Sequence, residues 1–245
     1  MMKPHRGVLE AFDDIAAISR KACDDLIPLC HAAIEANGVC RIALAGGSTP
    51  KLLYELMARH ADAFQWDSIH LFWGDERNVL PNDPQSNFKM VCEALLDHVP
   101  IPAANVHRVP IDPAEPALTA EAYEKTLRSE FASDQTAWDL VLLGMGDDAH
   151  TASLFPQTDA IEQTERLFVE NWVAKFDTFR LTLTAPAINT AKNVWFLIGG
   201  ANKREALQNV WGAHHDPTRY PSQLIQPAGN LRWMLTRDAI PSAEL

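Results

Sequence analysis

Cys40-Arg41-Ile42-Ala43-Leu44-Ala45-Gly46-Gly47-Ser48-Thr49-Pro50 is the stretch that decides the fold class of this 245-residue chain. Cys40 to Ala45 reads as a short buried strand and Gly46 to Thr49 as a turn. Pro50 then opens a helix with apolar Leu52, Leu53, Leu56 and Met57 on one side. Upstream, Val8 to Ala36 carries Ala, Leu and Ile at helical spacing and predicts one long or kinked helix, interrupted by Pro28 and closed by Asn37-Gly38. Downstream the order strand, glycine loop, helix recurs. Ile69 to Trp73 runs into Gly74-Asp75-Glu76-Arg77, a helix spans Asn87 to His98, Val106 to Val109 is a short strand, and a helix follows from about Thr119 to Phe131. Asp139 to Leu143 runs into Gly144 to His150. Ala185 to Ala191 is a short helix, Val194 to Ile198 a strand, Lys203 to Trp211 a helix and Leu231 to Leu235 a last strand.

Strands alternating with helices at this spacing predict an α/β fold: a Rossmann-like, mostly parallel sheet with helices on both faces. Arg166 to Val173 and Thr178 to Leu183 read as a small antiparallel excursion. No Gly/Ser linker or repeat divides the chain, so residues 1–245 are expected to form a single domain.

The composition, 47% apolar and 22% charged, excludes a disordered or fibrous chain. The net charge of -11 argues against a nucleic-acid or anionic-membrane partner, but leaves room for a small anion held by a local cluster of donors. Cys23, Cys30, Cys40 and Cys92 show neither CxxC nor metal-ligand spacing and read as reduced, packed thiols. Lys3, His5, Arg6 and Glu10 break up the N-terminus, no apolar signal core follows, and the longest apolar runs are far short of a membrane span. The expected location is the cytoplasm, and the expected state a monomer or weak homodimer.

In an open parallel sheet, ligands bind beyond the carboxyl ends of the strands. Four loops there carry the candidate chemistry. In the first, Gly46 and Gly47 let the backbone come close to a ligand, Ser48 follows, Thr49 suits the N-cap, and a helix N-terminus favours phosphate; it also reads simply as a tight turn. In the second, Arg77 offers a planar fork for phosphate oxygens, with Asp75 or Glu76 to hold it, while Asp75 equally suits a sugar hydroxyl. In the third, His150 is expected at the start of a helix just past a strand, where a neutral imidazole takes a proton from water, and Asp148 is placed to orient the ring. In the fourth, Lys203 and Arg204 in a first helical turn oppose the dipole and suggest an anionic partner, although one of the two also reads as simply solvated. Arg180, with Thr182 and Thr184, is either a further cation or a solvent-facing strand residue. No metal-ligand spacing, GxSxG elbow or reactive-cysteine signature appears. One base, one or two carboxylates and several anion donors fit water attack on a substrate anchored by phosphate.

These segments resemble the 6-phosphogluconolactonase family of the glucosamine-6-phosphate isomerase/6-phosphogluconolactonase superfamily. The likeness runs through Ala45 to Pro50, Trp73 to Arg77 with Ser86-Asn87, Gly144-Met145-Gly146, Asp148, His150 to Pro156, and Gly199 with Lys203, in the family's order. It implies hydrolysis of 6-phospho-D-glucono-1,5-lactone to 6-phospho-D-gluconate in the oxidative pentose phosphate pathway, without cofactor or metal. His150 would be the base with Asp148 nearby. Arg77 and Lys203 would hold the phosphate, while Asp75, Gly47, Ser48 and Arg180 would line the site. The chain departs from the family at Ala149 and at Gln157, where glycine is usual; a positive φ at Ala149 would strain that loop by about 1 kcal/mol. The rival readings are an amino-sugar-phosphate isomerase or deaminase, which shares the first glycine loop, and a catalytically silent sugar-phosphate sensor. The segment after His150 favours the lactonase over the first, and retention of His150 beside the cations speaks against the second.

Overall fold

A computed structural model describes residues 7–131 and 138–242. The charged N-terminal residues Lys3, His5 and Arg6 lie outside the described residues. The strands are β1 (Val8–Phe12), β2 (Cys40–Leu44), β3 (Ile69–Trp73), β4 (Asp75–Arg77), β5 (Val106–His107), β6 (Leu140–Leu143), β7 (Phe168–Val173), β8 (Thr178–Leu183), β9 (Asn193–Ile198) and β10 (Asn230–Thr236). The helices are α1 (Ile15–Asn37), α2 (Ser48–Arg59), α3 (Asn87–Ala94), α4 (Pro116–Glu130), α5 (Ala185–Asn189) and α6 (Arg204–Trp211). Seven strands form a parallel sheet in the order β1-β10-β9-β6-β2-β3-β5, and a second, antiparallel sheet has the order β4-β8-β7. All four residues of β6 are buried, so helices cover it on both faces.

The N-terminal segment corrects the sequence reading. Val8 to Phe12 is not the start of a helix but a parallel edge strand beside β10. Arg232 on β10 ties it down, reaching Glu10 of β1 and Asp25 of α1, each at 2.7 Å. The helix starts later because Asp14 caps it, its carboxylate accepting from the Ala17 N–H at 2.7 Å. Pro28 does not divide the helix. It is exposed, so the carbonyl it deprives of a partner faces water. Gly38, at φ 77°, closes the helix as expected.

Gly74 joins the two sheets. Its N–H donates to Leu44 O of β2 at 2.8 Å, and its carbonyl accepts from Leu183 N of β8 at 2.8 Å. The chain therefore leaves the large sheet after β3 and enters the small one directly. Asp75-Glu76-Arg77, read as a loop, is strand β4, paired through Arg77 with Arg180 on β8. The expected antiparallel excursion, β7 and β8, thus gains a third strand from a distant part of the chain.

Two buried phenols complete the strand ends. Tyr54 Oη donates to Ala45 O at 2.8 Å and accepts from Ala45 N at 2.9 Å. Tyr123 Oη accepts from Trp73 N at 2.8 Å and donates to His107 O at 3.0 Å. Both rings are fully buried, and burial raises both phenol pKa values. Replacing Tyr54→Phe strands both polar groups of Ala45, an expected cost of about 1–3 kcal/mol. Urea unfolding is expected to show a lower midpoint at unchanged slope.

Candidate active site

The sheet order places a topological switch between β2 and β6. From β2 the chain steps outward to β3 and β5, then returns across β2 to β6 and proceeds to β9 and β10. The loops after β2 and β6 diverge at that point and open a cleft of about 430 Å³. Gly46, Gly47, Ser48 and Thr49 form one wall, and His150 with Ser153 and Phe155 another. Asp75, Arg77, Arg180 and Lys203 complete it. Four loops separated by up to 157 positions, from Gly46 to Lys203, therefore share one crevice.

Gly47 enters α2 at φ 105°, a conformation only glycine adopts comfortably, and occupies the N-cap position without a side chain. Thr49 is accordingly not the N-cap but lies within the first turn. Nor does a helix begin at His150. The chain turns instead, bridging Thr151 to Leu154, because Ala149 and Ala152 take left-handed values of 62° and 46°.

His150 Nδ1 lies 2.5 Å from Asp148 Oδ1, and the His150 N–H donates to the same oxygen at 3.2 Å. Lys175, on the turn between β7 and β8, donates to the other oxygen, Oδ2, at 3.1 Å. Burial pushes the Asp148 carboxyl up, but the hydrogen bonds and charges of His150 and Lys175 outweigh it and hold the group well below the usual carboxylate range. With Nδ1 engaged, Nε2 is the nitrogen available for proton transfer. Phe155 stacks on the imidazole at 4.1 Å, fixing the ring plane. Gly146 backs the pair so closely that a Cβ there would lie 2.1 Å from His150 Nδ1. The left-handed Ala149 is held by its carbonyl, which accepts from both the N–H and the hydroxyl of Ser222, at 3.0 and 2.8 Å.

Three cations line the same cleft. Arg77 and Arg180 face each other across the β4–β8 pair, and Arg77 Nη1 donates to Gln85 O at 2.6 Å. Burial, then the Arg77 charge, lowers the Arg180 pKa. Among the described residues, no carboxylate within 4.0 Å pairs with Arg77, Arg180 or Lys203. Arg180 lines the cleft rather than lying on an open strand face. Arg204, the neighbour of Lys203, does not line the cleft and donates to Asp238 O at 2.7 Å.

Glu76 does not hold Arg77's fork. Its buried carboxylate accepts from the backbone N–H groups of Arg77, Asn87 and Phe88 at 2.7–2.8 Å and so anchors the start of α3. Asp75 does not hold the fork either; Ser153 Oγ donates to it at 2.7 Å, leaving it on the cleft wall. Sequence reasoning assigned no site role to Lys175, Ser153 or Phe155. Ser153 and Phe155 lie in the segment that carried the resemblance, whereas no local signal marks Lys175.

A family model described as glucosamine-6-phosphate isomerases/6-phosphogluconolactonase matches residues 13–233. The chain belongs to that family. It is 47% identical over 243 residues to a 6-phosphogluconolactonase of Nostoc sp. (strain PCC 7120 / SAG 25.82 / UTEX 2576), covering 98% of this chain and 99% of that one. It is 47% identical over 210 residues to a 6-phosphogluconolactonase of Synechocystis sp. (strain ATCC 27184 / PCC 6803 / Kazusa), covering 84% and 86%. The solved 6-phosphogluconolactonase of Trypanosoma brucei superposes with a TM-score of 0.85 at 27% identity, covering 98% of each chain.

At Ala149 the chain takes φ 62°, a conformation that favours glycine. Ala149→Gly is expected to relieve part of that strain and raise the Tm by about 1–3 °C in a thermal melt. Asp148, a carboxyl with a depressed pKa, adds stability that is complete above the unfolded value near 4 and disappears as pH falls through the folded one. Urea titrations are expected to show a constant stability gap between the parent and Asp148→Asn down to about pH 5, closing in more acid solution.

Proposed function

We propose that this chain hydrolyses 6-phospho-D-glucono-1,5-lactone to 6-phospho-D-gluconate in the oxidative pentose phosphate pathway. The observation that carries the reading is the shared cleft, lined by the Asp148-oriented imidazole and by three cations that, among the described residues, have no carboxylate within 4.0 Å. Two relatives at 47% identity bear the name 6-phosphogluconolactonase.

The chemistry follows from the groups available. Arg77 and Lys203 hold the phosphate, helped by the N–H groups at the start of α2, and fix the lactone in the cleft. His150 Nε2 takes a proton as water attacks the ring carbonyl, and Asp148 stabilises the imidazolium through Nδ1. The tetrahedral intermediate then expels the ring oxygen, which receives that proton from His150. A further proton leaves the new carboxylic acid, so one proton appears in solution per lactone opened. Asp75 meets a sugar hydroxyl, and Arg180 adds to the positive field around the phosphate. No cofactor enters this scheme. We place the work in one domain acting in the cytoplasm on a small anion; no helix among the described residues is long and apolar enough to cross a membrane.

Proton release from freshly made lactone, read above spontaneous hydrolysis, tests the reading. His150→Ala is expected to lower kcat by about 10²–10⁴-fold while affinity for 6-phosphogluconate stays within about twofold. Arg77→Ala and Lys203→Ala are expected to weaken that affinity by about 10–100-fold each. Full turnover by His150→Ala would end the proposal, as would ammonia release from glucosamine 6-phosphate by the parent.

A further inference from the structure

On the amino-terminal side of the large sheet, three side chains far apart in the chain meet. His70 is the second residue of β3, His107 the last of β5, and Glu130 the last of α4. His70 Nδ1 lies 3.0 Å from His107 Nε2, and Glu130 Oε2 lies 3.7 Å from the first nitrogen and 3.8 Å from the second. None of the three lines the catalytic cleft.

We propose that His70, His107 and Glu130 bind one divalent transition-metal ion of the zinc class, which clips β3, the edge strand β5 and the end of α4 together. The size of the triangle supports this first. A point equidistant from its three corners lies about 2 Å from each, which is the Zn–N and Zn–O bond length. The donor set supports it second. Two imidazoles and one carboxylate suit Zn²⁺, Co²⁺ or Ni²⁺, whereas Mg²⁺ and Ca²⁺ prefer oxygen throughout. Three protein ligands leave a fourth position for water.

The ligands are also held in place. The His107 ring stacks on Phe72 at 4.3 Å, and its carbonyl accepts from Tyr123. The Glu130 carbonyl accepts from Arg41 Nη2 at 3.1 Å, which fixes the end of α4. Entry is open, because the Glu130 and His70 side chains are 31% and 19% exposed while His107 is 8% exposed. At present the two rings lie 5.2 Å apart and only 17° from coplanar, sharing one N–H between them. On binding, each ring turns its lone pair to the ion, and the ring that donates takes its other tautomer, so no proton is lost. The Arg41 charge opposes the ion, and the Glu130 carboxylate offsets it. A clip here has a mechanical use, since β5 is paired to β3 through only Val106 and His107.

Metal-stripped intact protein titrated with CoCl₂ and, separately, with ZnCl₂ provides the test. One equivalent of Co²⁺ is expected to bind with the visible absorption of a four-coordinate ion. At free ion near a hundred times its Kd, either metal is expected to raise the Tm by about 5 °C. His70→Gln and Glu130→Gln, both partly exposed positions, are each expected to weaken binding by at least about 10-fold with an unchanged circular-dichroism spectrum. No Co²⁺ uptake by the parent would overturn the proposal. So would uptake undiminished in both variants, because the ion would then sit elsewhere, at His150 and Asp148 or at a thiol.

Discussion

Every backbone N–H and C=O that is buried must find a partner, and the carboxyl ends of parallel strands are where that demand is hardest to meet. There the sheet stops pairing while the chain remains inside the protein. Here the demand is met by side chains and by one glycine. Tyr54 takes both polar groups of Ala45, Tyr123 joins Trp73 to His107, and Gly74 bonds to β2 on one side and β8 on the other. Because these groups are satisfied from behind, the loops after β2 and β3 are free to face the cleft. The site is built on strand ends that are already closed.

The cleft also inverts the charge of the molecule around it. The chain carries a net charge of -11, yet Arg77, Arg180 and Lys203 line one cleft, and among the described residues none of them has a carboxylate within 4.0 Å. Like charges held together raise the energy of the empty site, and a bound dianion removes that cost. Asp75 is close enough to soften the field, but its carboxylate is engaged by Ser153. The distant acidic surface affects association far more than it affects the local clamp, because water and salt screen it.

Local strain gathers where Asp148 and His150 meet. Ala149, Ala152 and Gln157 all take positive φ within nine residues. Such conformations persist only when the surroundings over-determine them. Ser222 grips the Ala149 carbonyl with two hydrogen bonds, and the Gln157 N–H donates to Thr218 O at 2.9 Å. The strained turns bring Asp148 and His150, two residues apart, into hydrogen-bond contact.

What the chain determined on its own is the alternation of strands and glycine loops, and with it the parallel sheet and the identity of the loops that line the cleft. Periodicity and turn residues are local properties, and the loops that bring His150, Arg77 and Lys203 to the cleft could be singled out because each follows a recognisable strand. The same local grammar misread Val8 to Phe12, where the partner strand β10 lies more than two hundred residues away and outweighs helical spacing. Only the tertiary structure joined β4 to β8, turned Glu76 from a candidate clamp into the anchor of α3, and brought Lys175 to Asp148. It also assembled His70, His107 and Glu130, whose spacing in the chain carries no metal signature. Sheet order and packing set distances between residues that have no sequence relation, and those distances decide which groups share a charge, a proton or an ion.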